Sequence, residues 1–161
     1  MDISTAALYG IQVARCSDSE PVHSGTVRGV EDALGVQLPD EFARICEFYE
    51  SCGIGSDYLA RVSAEPHGNT IVALTQRMRR EQNLPPEYVV LGAADGSVLL
   101  LTGSLAPCEW GSVYEVSRKA LPAFTRGQTP LGTHRWSTFV DFFADAIGVD
   151  SWARMGPRDL R

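Results

Sequence analysis

An amphipathic helix beginning near Pro39 is the local feature that most constrains how this chain folds. Pro39 suits the first helical position, and the two acidic residues after it, Asp40 and Glu41, favour the positive end of the helix dipole. Apolar side chains then recur at helical spacing, at Phe42, Ile45, Cys46 and Tyr49. Gly53 supplies a C-terminal stop. A helix of this kind must bury its apolar face against other elements.

A second helix is predicted just before the first. Val27, Val30 and Leu34 recur at helical spacing, and Gly35 is placed to end the helix. A third helix starts at Thr138, which forms a capping-box pattern with Asp141. Its apolar face is predicted to carry Phe139, Phe142, Phe143 and Ala146, with Gly148 as the terminator.

The middle of the chain has the composition of strands. Asp95-Gly96 is a strong signal for a hairpin turn, and a turn is also expected around His67. A short arginine-rich helix is predicted between the second and third strands, over residues 76–82. The predicted strands are residues 58–62, 70–74, 88–91, 97–102 and 112–117.

This order of elements predicts one α+β domain, with an antiparallel or mixed sheet flanked by helices. The 161 residues, of which 44% are hydrophobic, are enough for one core. We expect an N-terminal arm over residues 1–23, the domain over 24–150 and a C-terminal tail over 151–161. No segment has the pattern of a membrane span or an export signal, so a cytoplasmic location is expected.

The negative charge is concentrated in the first third of the sequence. Residues 1–60 contain ten acidic and three basic residues, whereas the whole chain has a formal net charge of −6. Such a face would repel nucleic acid and attract a basic protein. The alternative is that these acidic residues only solvate helix surfaces. The basic residues Arg77, Arg79 and Arg80 are read in the same way, as solvated surface.

No pattern of catalytic, metal-binding or cofactor-binding residues is recognisable, so we expect a protein that is not an enzyme. The three histidines, His23, His67 and His134, fall in separate loop-like segments. No cysteine pair has the spacing of a zinc or redox site, and buried free thiols are expected at Cys16, Cys46, Cys52 and Cys108.

Protein binding is the function for which candidate residues can be named. Trp110 lies in a predicted loop between Glu109 and Gly111, and large rigid side chains anchor protein interfaces. Tyr58 is the next aromatic candidate, although either ring could instead complete the core. The candidate interface residues are Asp57, Tyr58, Asp95, Glu109 and Trp110.

An ordered set of segments from Leu34 to Ile147 resembles the SUKH superfamily. Its opening is the segment Leu34-Gly35-Val36-Gln37-Leu38-Pro39-Asp40-Glu41-Phe42, followed by Ile45, Tyr49 and Gly53. Downstream are Leu84-Pro85-Pro86-Glu87-Tyr88-Val89-Val90-Leu91, the Asp95-Gly96 hairpin, and Ser137-Thr138-Phe139-Val140-Asp141-Phe142-Phe143.

The resemblance implies an α+β domain that serves as the immunity protein of a bacterial toxin system. Members of this kind typically neutralise a nuclease or another toxin that acts on nucleic acid, and the family is not known for a catalytic residue. We therefore expect a monomer or weak dimer that binds a basic cognate toxin domain through an acidic surface. The alternatives are a regulatory or scaffolding module of the same fold and an uncharacterised small hydrolase.

Overall fold

The structure, a computed structural model, describes residues 24–46, 59–93, 96–106 and 109–146. The arm at residues 1–23, the tail at 151–161, Tyr49, Gly53 and Gly148 lie outside these ranges. Within them the helices are α1 (Ser24–Leu34), α2 (Asp40–Cys46), α3 (Ile71–Gln82), α4 (Leu121–Phe124) and α5 (Phe139–Ala146). The strands are β1 (Tyr88–Ala93), β2 (Ser97–Thr102), β3 (Val113–Ser117) and β4 (His134–Trp136).

The four strands form one antiparallel sheet in the order β1-β2-β3-β4, which is also their order in the sequence. Leu100 of β2 lies opposite Tyr114 of β3, and Tyr114 lies opposite Arg135 of β4. A register irregularity in β1 falls between Val90 and Gly92. The predicted α+β class, the β1–β2 hairpin and the strand at residues 112–117 are confirmed.

Both faces of the sheet are covered. Leu100 and Leu101 are adjacent in β2 and therefore point to opposite faces, yet neither is exposed. On the face that carries Tyr114, the ring of Phe124 from α4 lies 5.4 Å from the tyrosine ring between centroids. On the other face, Trp136 contacts Phe142 of α5 at 5.2 Å. The sheet is thus the middle of the core.

Helices α2 and α5 pack together through aromatic rings. The rings of Phe42 and Phe139 meet edge to face with centroids 4.9 Å apart. Cys46 at the end of α2 is buried with a free thiol, as the sequence predicted for this cysteine, and burial raises the pKa of its thiol. The predicted apolar face of α2 is therefore confirmed at Phe42, Ile45 and Cys46.

The predicted start of α5 is confirmed, and its apolar face needs one correction. The Thr138 hydroxyl oxygen accepts a hydrogen bond from the Asp141 backbone N–H at 3.1 Å, which caps the helix. Phe139, Phe142 and Phe143 are buried as expected, but Ala146 is exposed and Ala144 takes the buried position. The predicted position of Pro39 also needs a correction. It was expected as the first residue of α2, but α2 begins at Asp40 and Pro39 lies just before it.

The predicted strand at residues 70–74 is wrong, because these residues begin α3. Thr70 has an extended backbone with φ −112° and ψ 156°, and its hydroxyl oxygen accepts a hydrogen bond from the Ala73 N–H at 3.1 Å. A side chain that satisfies a free N–H in this way starts a helix. The helix continues to Gln82, so the predicted helical stretch at residues 76–82 is its second half.

The predicted strand at residues 58–62 is also wrong where it is described. Within residues 59–62, Arg61 forms an isolated parallel bridge with Thr70. The Ala60 N–H donates to the Leu91 carbonyl of β1 at 2.8 Å, so this segment runs along the side of the sheet without forming a strand. Helix α4 and strand β4 are present although the sequence did not predict them.

Arg79 of α3 joins three parts of the fold. Its guanidinium donates to the Leu34 carbonyl at the end of α1 at 2.9 Å and to the Pro86 carbonyl before β1 at 2.6 Å. Burial lowers the pKa of this guanidinium, while Glu87 raises it.

Among the described residues, no helix is long and apolar enough to span a bilayer.

Candidate protein-binding surface

The structure describes two of the five predicted interface residues. Trp110 lies in the loop between β2 and β3 and is 53% exposed. Glu109, beside it, is partly buried. Asp57, Tyr58 and Asp95 lie outside the described residues.

Hydrogen bonds join the described parts of the β2–β3 loop, residues 103–106 and 109–112, to the end of β2. The Thr102 hydroxyl donates to the carbonyl oxygens of Glu109 and Ser112. The Gly111 N–H donates to the Thr102 carbonyl at 3.0 Å, and Gly111 has φ +84°, a conformation that favours glycine. Trp110 therefore lies on a hydrogen-bonded turn, residues 109–112, at the end of the sheet.

The Glu109 side chain braces this turn against β3 and β4. Its carboxylate accepts a hydrogen bond from the Tyr114 hydroxyl and lies 3.7 Å from the Arg135 guanidinium. Arg135 also lies over the Tyr114 ring, 5.6 Å from its centroid, and donates to the Ser112 hydroxyl at 3.4 Å. Burial, and then the bond to Glu109, raises the pKa of Tyr114. The Glu109 carboxylate is thus engaged in contacts that stabilise the loop.

The β2–β3 loop also packs on the connection between α1 and α2. The Ser104 N–H donates to the Gln37 carbonyl at 3.0 Å, and the Gln37 N–H donates to the Ser104 hydroxyl at 3.1 Å. At Gly111, an added Cβ would lie 3.3 Å from the Pro39 ring. The loop and the connection therefore form one continuous surface.

An acidic groove of about 650 Å³ opens beside this surface, between α1, α2 and the connection that joins them. Its lining includes three carboxylates, from Glu31, Asp32 and Asp40, and one cationic side chain, from Arg28. Three buried apolar residues, Val27, Val36 and Leu38, also line the groove. Ser104 of the β2–β3 loop completes one side.

The β2–β3 loop, which contributes Ser104 to the groove, also carries two exposed apolar residues. Leu105, which follows the groove-lining Ser104, is 53% exposed, and Trp110 is exposed to the same extent. A third, Leu131, is fully exposed, but it precedes β4. Because β3 and β4 are antiparallel with Val113 opposite Trp136, Trp110 and Leu131 lie at opposite ends of that strand pair.

The remaining polar residues considered from the sequence are dispersed. His67 is exposed on a turn, 3.8 Å from Glu65, and the His134 ring stacks on Trp136 at 4.1 Å. In the described part of the chain, no group of three or more histidine, cysteine or acidic side chains is placed to bind a metal. Arg77 and Arg80 are exposed, whereas Arg79 is held by the two carbonyl groups described above.

The groove is the part of the surface that sequence reasoning did not locate. The acidic character of the first third gave a signal, since Glu31, Asp32 and Asp40 all belong to it. Their placement around one depression depends on the packing of α1 against α2, which spacing along the chain does not reveal.

No protein-family model matches the chain, and no curated protein matches it.

Proposed function

We propose that this protein is a cytoplasmic immunity protein that binds a cognate bacterial toxin domain, a nuclease or another toxin that acts on nucleic acid. The observation that carries the proposal is the exposed Trp110 ring on a turn held by Glu109. The sequence resemblance to the SUKH superfamily supports the choice of an immunity protein over other binding proteins.

An exposed tryptophan on an ordered turn suits tight protein recognition for two reasons. Tryptophan is among the residues that contribute most to binding when a partner covers them. Association also costs less entropy when the loop that presents the anchor is already ordered. The hydrogen bonds of Thr102 and the contacts of Glu109 with Tyr114 and Arg135 provide this order before a partner arrives.

The acidic groove, which the β2–β3 loop lines through Ser104, supports a basic partner. Proteins that act on nucleic acid carry positive surfaces that attract phosphate, and an acidic inhibitor can occupy such a surface. Complementary charge also accelerates encounter. An acidic surface disfavours direct binding of nucleic acid by this chain itself.

The proposal is tested by co-expression in a sensitive host. The C-terminal domain encoded by the neighbouring open reading frame is expressed with this protein, with its Trp110→Ala variant, or with a Leu131→Ala control. We expect rescue and a one-to-one complex with the wild-type protein and the control. Loss of a central tryptophan typically costs at least ~2 kcal/mol, so Trp110→Ala should raise Kd about 30-fold or more.

The control removes an exposed apolar side chain from the opposite end of the β3–β4 pair. Thermal unfolding of both variants checks that they remain folded. If the neighbouring domain is not toxic, or is toxic and forms no complex with this protein, the immunity function is wrong and a regulatory binding module takes its place. If a complex forms and Trp110→Ala binds like the control, Trp110 is not the anchor.

A further inference from the structure

We infer that the acidic groove between α1 and α2 receives a basic side chain, preferably an arginine, from the protein partner. The inference rests on the proposed function and deepens it, because it names the chemistry that the partner must present. It also moves part of the interface to residues absent from the sequence-based candidates, Asp32 and Asp40.

The floor and walls of the groove suit a long cationic side chain. Val27, Val36 and Leu38, each about 5% exposed or less, form the edge of the core beneath the groove, and the partly buried Ala43 adds apolar surface. Arginine and lysine pack their methylene stems on apolar surface and keep the charged head near polar groups. The volume of about 650 Å³ accommodates such a side chain together with its neighbouring backbone.

The carboxylates fix the sign of the charge that the groove attracts. Glu31 is held in place, since its carboxylate accepts a hydrogen bond from the Leu38 N–H at 2.8 Å. Asp32 and Asp40 are exposed, and within the described residues neither side chain has a hydrogen-bond or ion-pair partner. Arg28 offsets one of these three negative charges. A planar guanidinium, which donates to two carboxylates in a fixed geometry, fits this set better than a lysine ammonium.

Continuity with the exposed apolar residues distinguishes the groove from an isolated acidic patch. Ser104 lines the groove and directly precedes the exposed Leu105, and Gly111 packs on Pro39 beside the exposed Trp110. A partner segment with an arginine in the groove would therefore place its flanking apolar residues against Leu105 and Trp110. When apolar contacts surround a charged pair, partner binding removes water from the pair, and recognition becomes more specific.

The test compares charge reversals at neighbouring positions. Asp40→Lys and Asp32→Lys reverse charges in the groove, and Glu41→Lys reverses the next residue of α2, which does not line the groove. Asp40 and Glu41 are both exposed in the first turn of α2, so the two variants change net charge and helix dipole equally. Urea unfolding verifies that all three variants fold.

We expect each groove variant to raise the Kd for the toxin domain at least about tenfold, and Glu41→Lys to raise it less than about threefold. Isothermal titration calorimetry at physiological salt gives these values. If the wild-type complex forms and the groove variants bind like Glu41→Lys, the inference is overturned while the proposed function stands. If no complex forms, the proposed function fails, and the groove is tested separately.

That separate test uses a capped arginine–alanine–arginine tripeptide titrated into the ¹⁵N-labelled full chain. The expected result is a saturable change in the amide signals of Gln37, Leu38 and Asp40, lost in Asp32→Lys and retained in Glu41→Lys. Changes spread evenly over acidic residues elsewhere would overturn the inference. The same changes produced by Ca²⁺ alone would assign the groove to a cation and overturn it as well.

Discussion

The Glu109 carboxylate shows how one side chain links a surface loop to the sheet. It accepts the Tyr114 hydroxyl from β3 and pairs with Arg135 from β4, so two strands fix the turn that carries Trp110. Tyr114 is itself only 5% exposed, and its ring packs against Phe124. The tyrosine hydroxyl is therefore the polar end of an otherwise buried ring, and its loss leaves the carboxylate with a weaker set of partners.

We expect Tyr114→Phe to lower the free energy of unfolding by about 1.5–3 kcal/mol, the usual worth of a hydrogen bond to a charged group. Tyr88→Phe is the matched control, because Tyr88 packs on the same Phe124 ring and has no hydroxyl hydrogen bond in the described residues. Urea unfolding at pH 8 measures both variants. Equal losses in the two would mean that the Glu109 bond contributes nothing measurable.

Tyr114→Phe should also change how the free energy of unfolding depends on pH in the alkaline range. Burial and the Glu109 bond raise the pKa of Tyr114 in the folded state. The resulting stability is complete below the unfolded pKa of about 10 and is lost as the pH rises through the higher folded value. Unfolding at pH 11 should therefore show a smaller alkaline loss in Tyr114→Phe than in the wild type. Some loss remains, since burial raises the pKa of Tyr88 too.

At the scale of elements, one capping residue decides the conformation of the segment that follows it. The apolar run Ile71-Val72-Ala73-Leu74 is rich in β-branched residues, and its composition alone favours a strand. The hydroxyl of Thr70 is nevertheless bonded to the Ala73 N–H and to the Glu65 carbonyl, the latter at 2.6 Å. These bonds, with burial of Ile71, Val72 and Leu74, outweigh the local preference.

Removal of this cap should weaken α3. We expect Thr70→Ala to lower the free energy of unfolding by about 1–2 kcal/mol, whereas Thr70→Ser, which keeps the hydroxyl, should lose less than half as much. Chemical denaturation followed by circular dichroism measures both. If serine were as damaging as alanine, the buried methyl group of Thr70, and not its hydroxyl, would be what the site requires.

Elements with a strong local signal were predictable, and those formed by pairing were not. Helix α2 follows from its apolar spacing, and the β1–β2 hairpin from Asp95-Gly96. Strand β4 has three residues, His134, Arg135 and Trp136, and acquires its conformation from the register with β3. Trp110 was identifiable as an exposed aromatic residue, but the role of Glu109 depends on Arg135, which is distant in sequence.

At the scale of the whole molecule, charge should govern how fast a partner arrives. The chain has a formal net charge of −6, and the proposed partner is basic. We expect the association rate constant with the toxin domain to fall about tenfold or more from low ionic strength to about 0.5 M salt, where the Debye length is only a few ångströms. The dissociation rate should change much less.

Stopped-flow tryptophan fluorescence over a salt series measures both rates. Glu41→Lys, which leaves the groove intact, makes the chain less negative by two charges, so it should reduce the dependence of the association rate on salt and serves as an internal check. An association rate that does not respond to salt would show that long-range attraction plays no part in recognition, whatever the groove contributes after contact.

The meander order of the strands has a consequence for the sequence in which the molecule assembles. Every strand pairs with its neighbour along the chain, so each pairing closes a local loop, and the longest of these, residues 118–133, contains α4. The turn that presents Trp110 is one of these loops and should form when β2 meets β3, and β4 then adds the Arg135 contact with Glu109. The groove instead requires α1 and α2 to dock beside the loop that contains Ser104. We therefore expect the turn that carries Trp110 to form earlier in folding than the acidic groove.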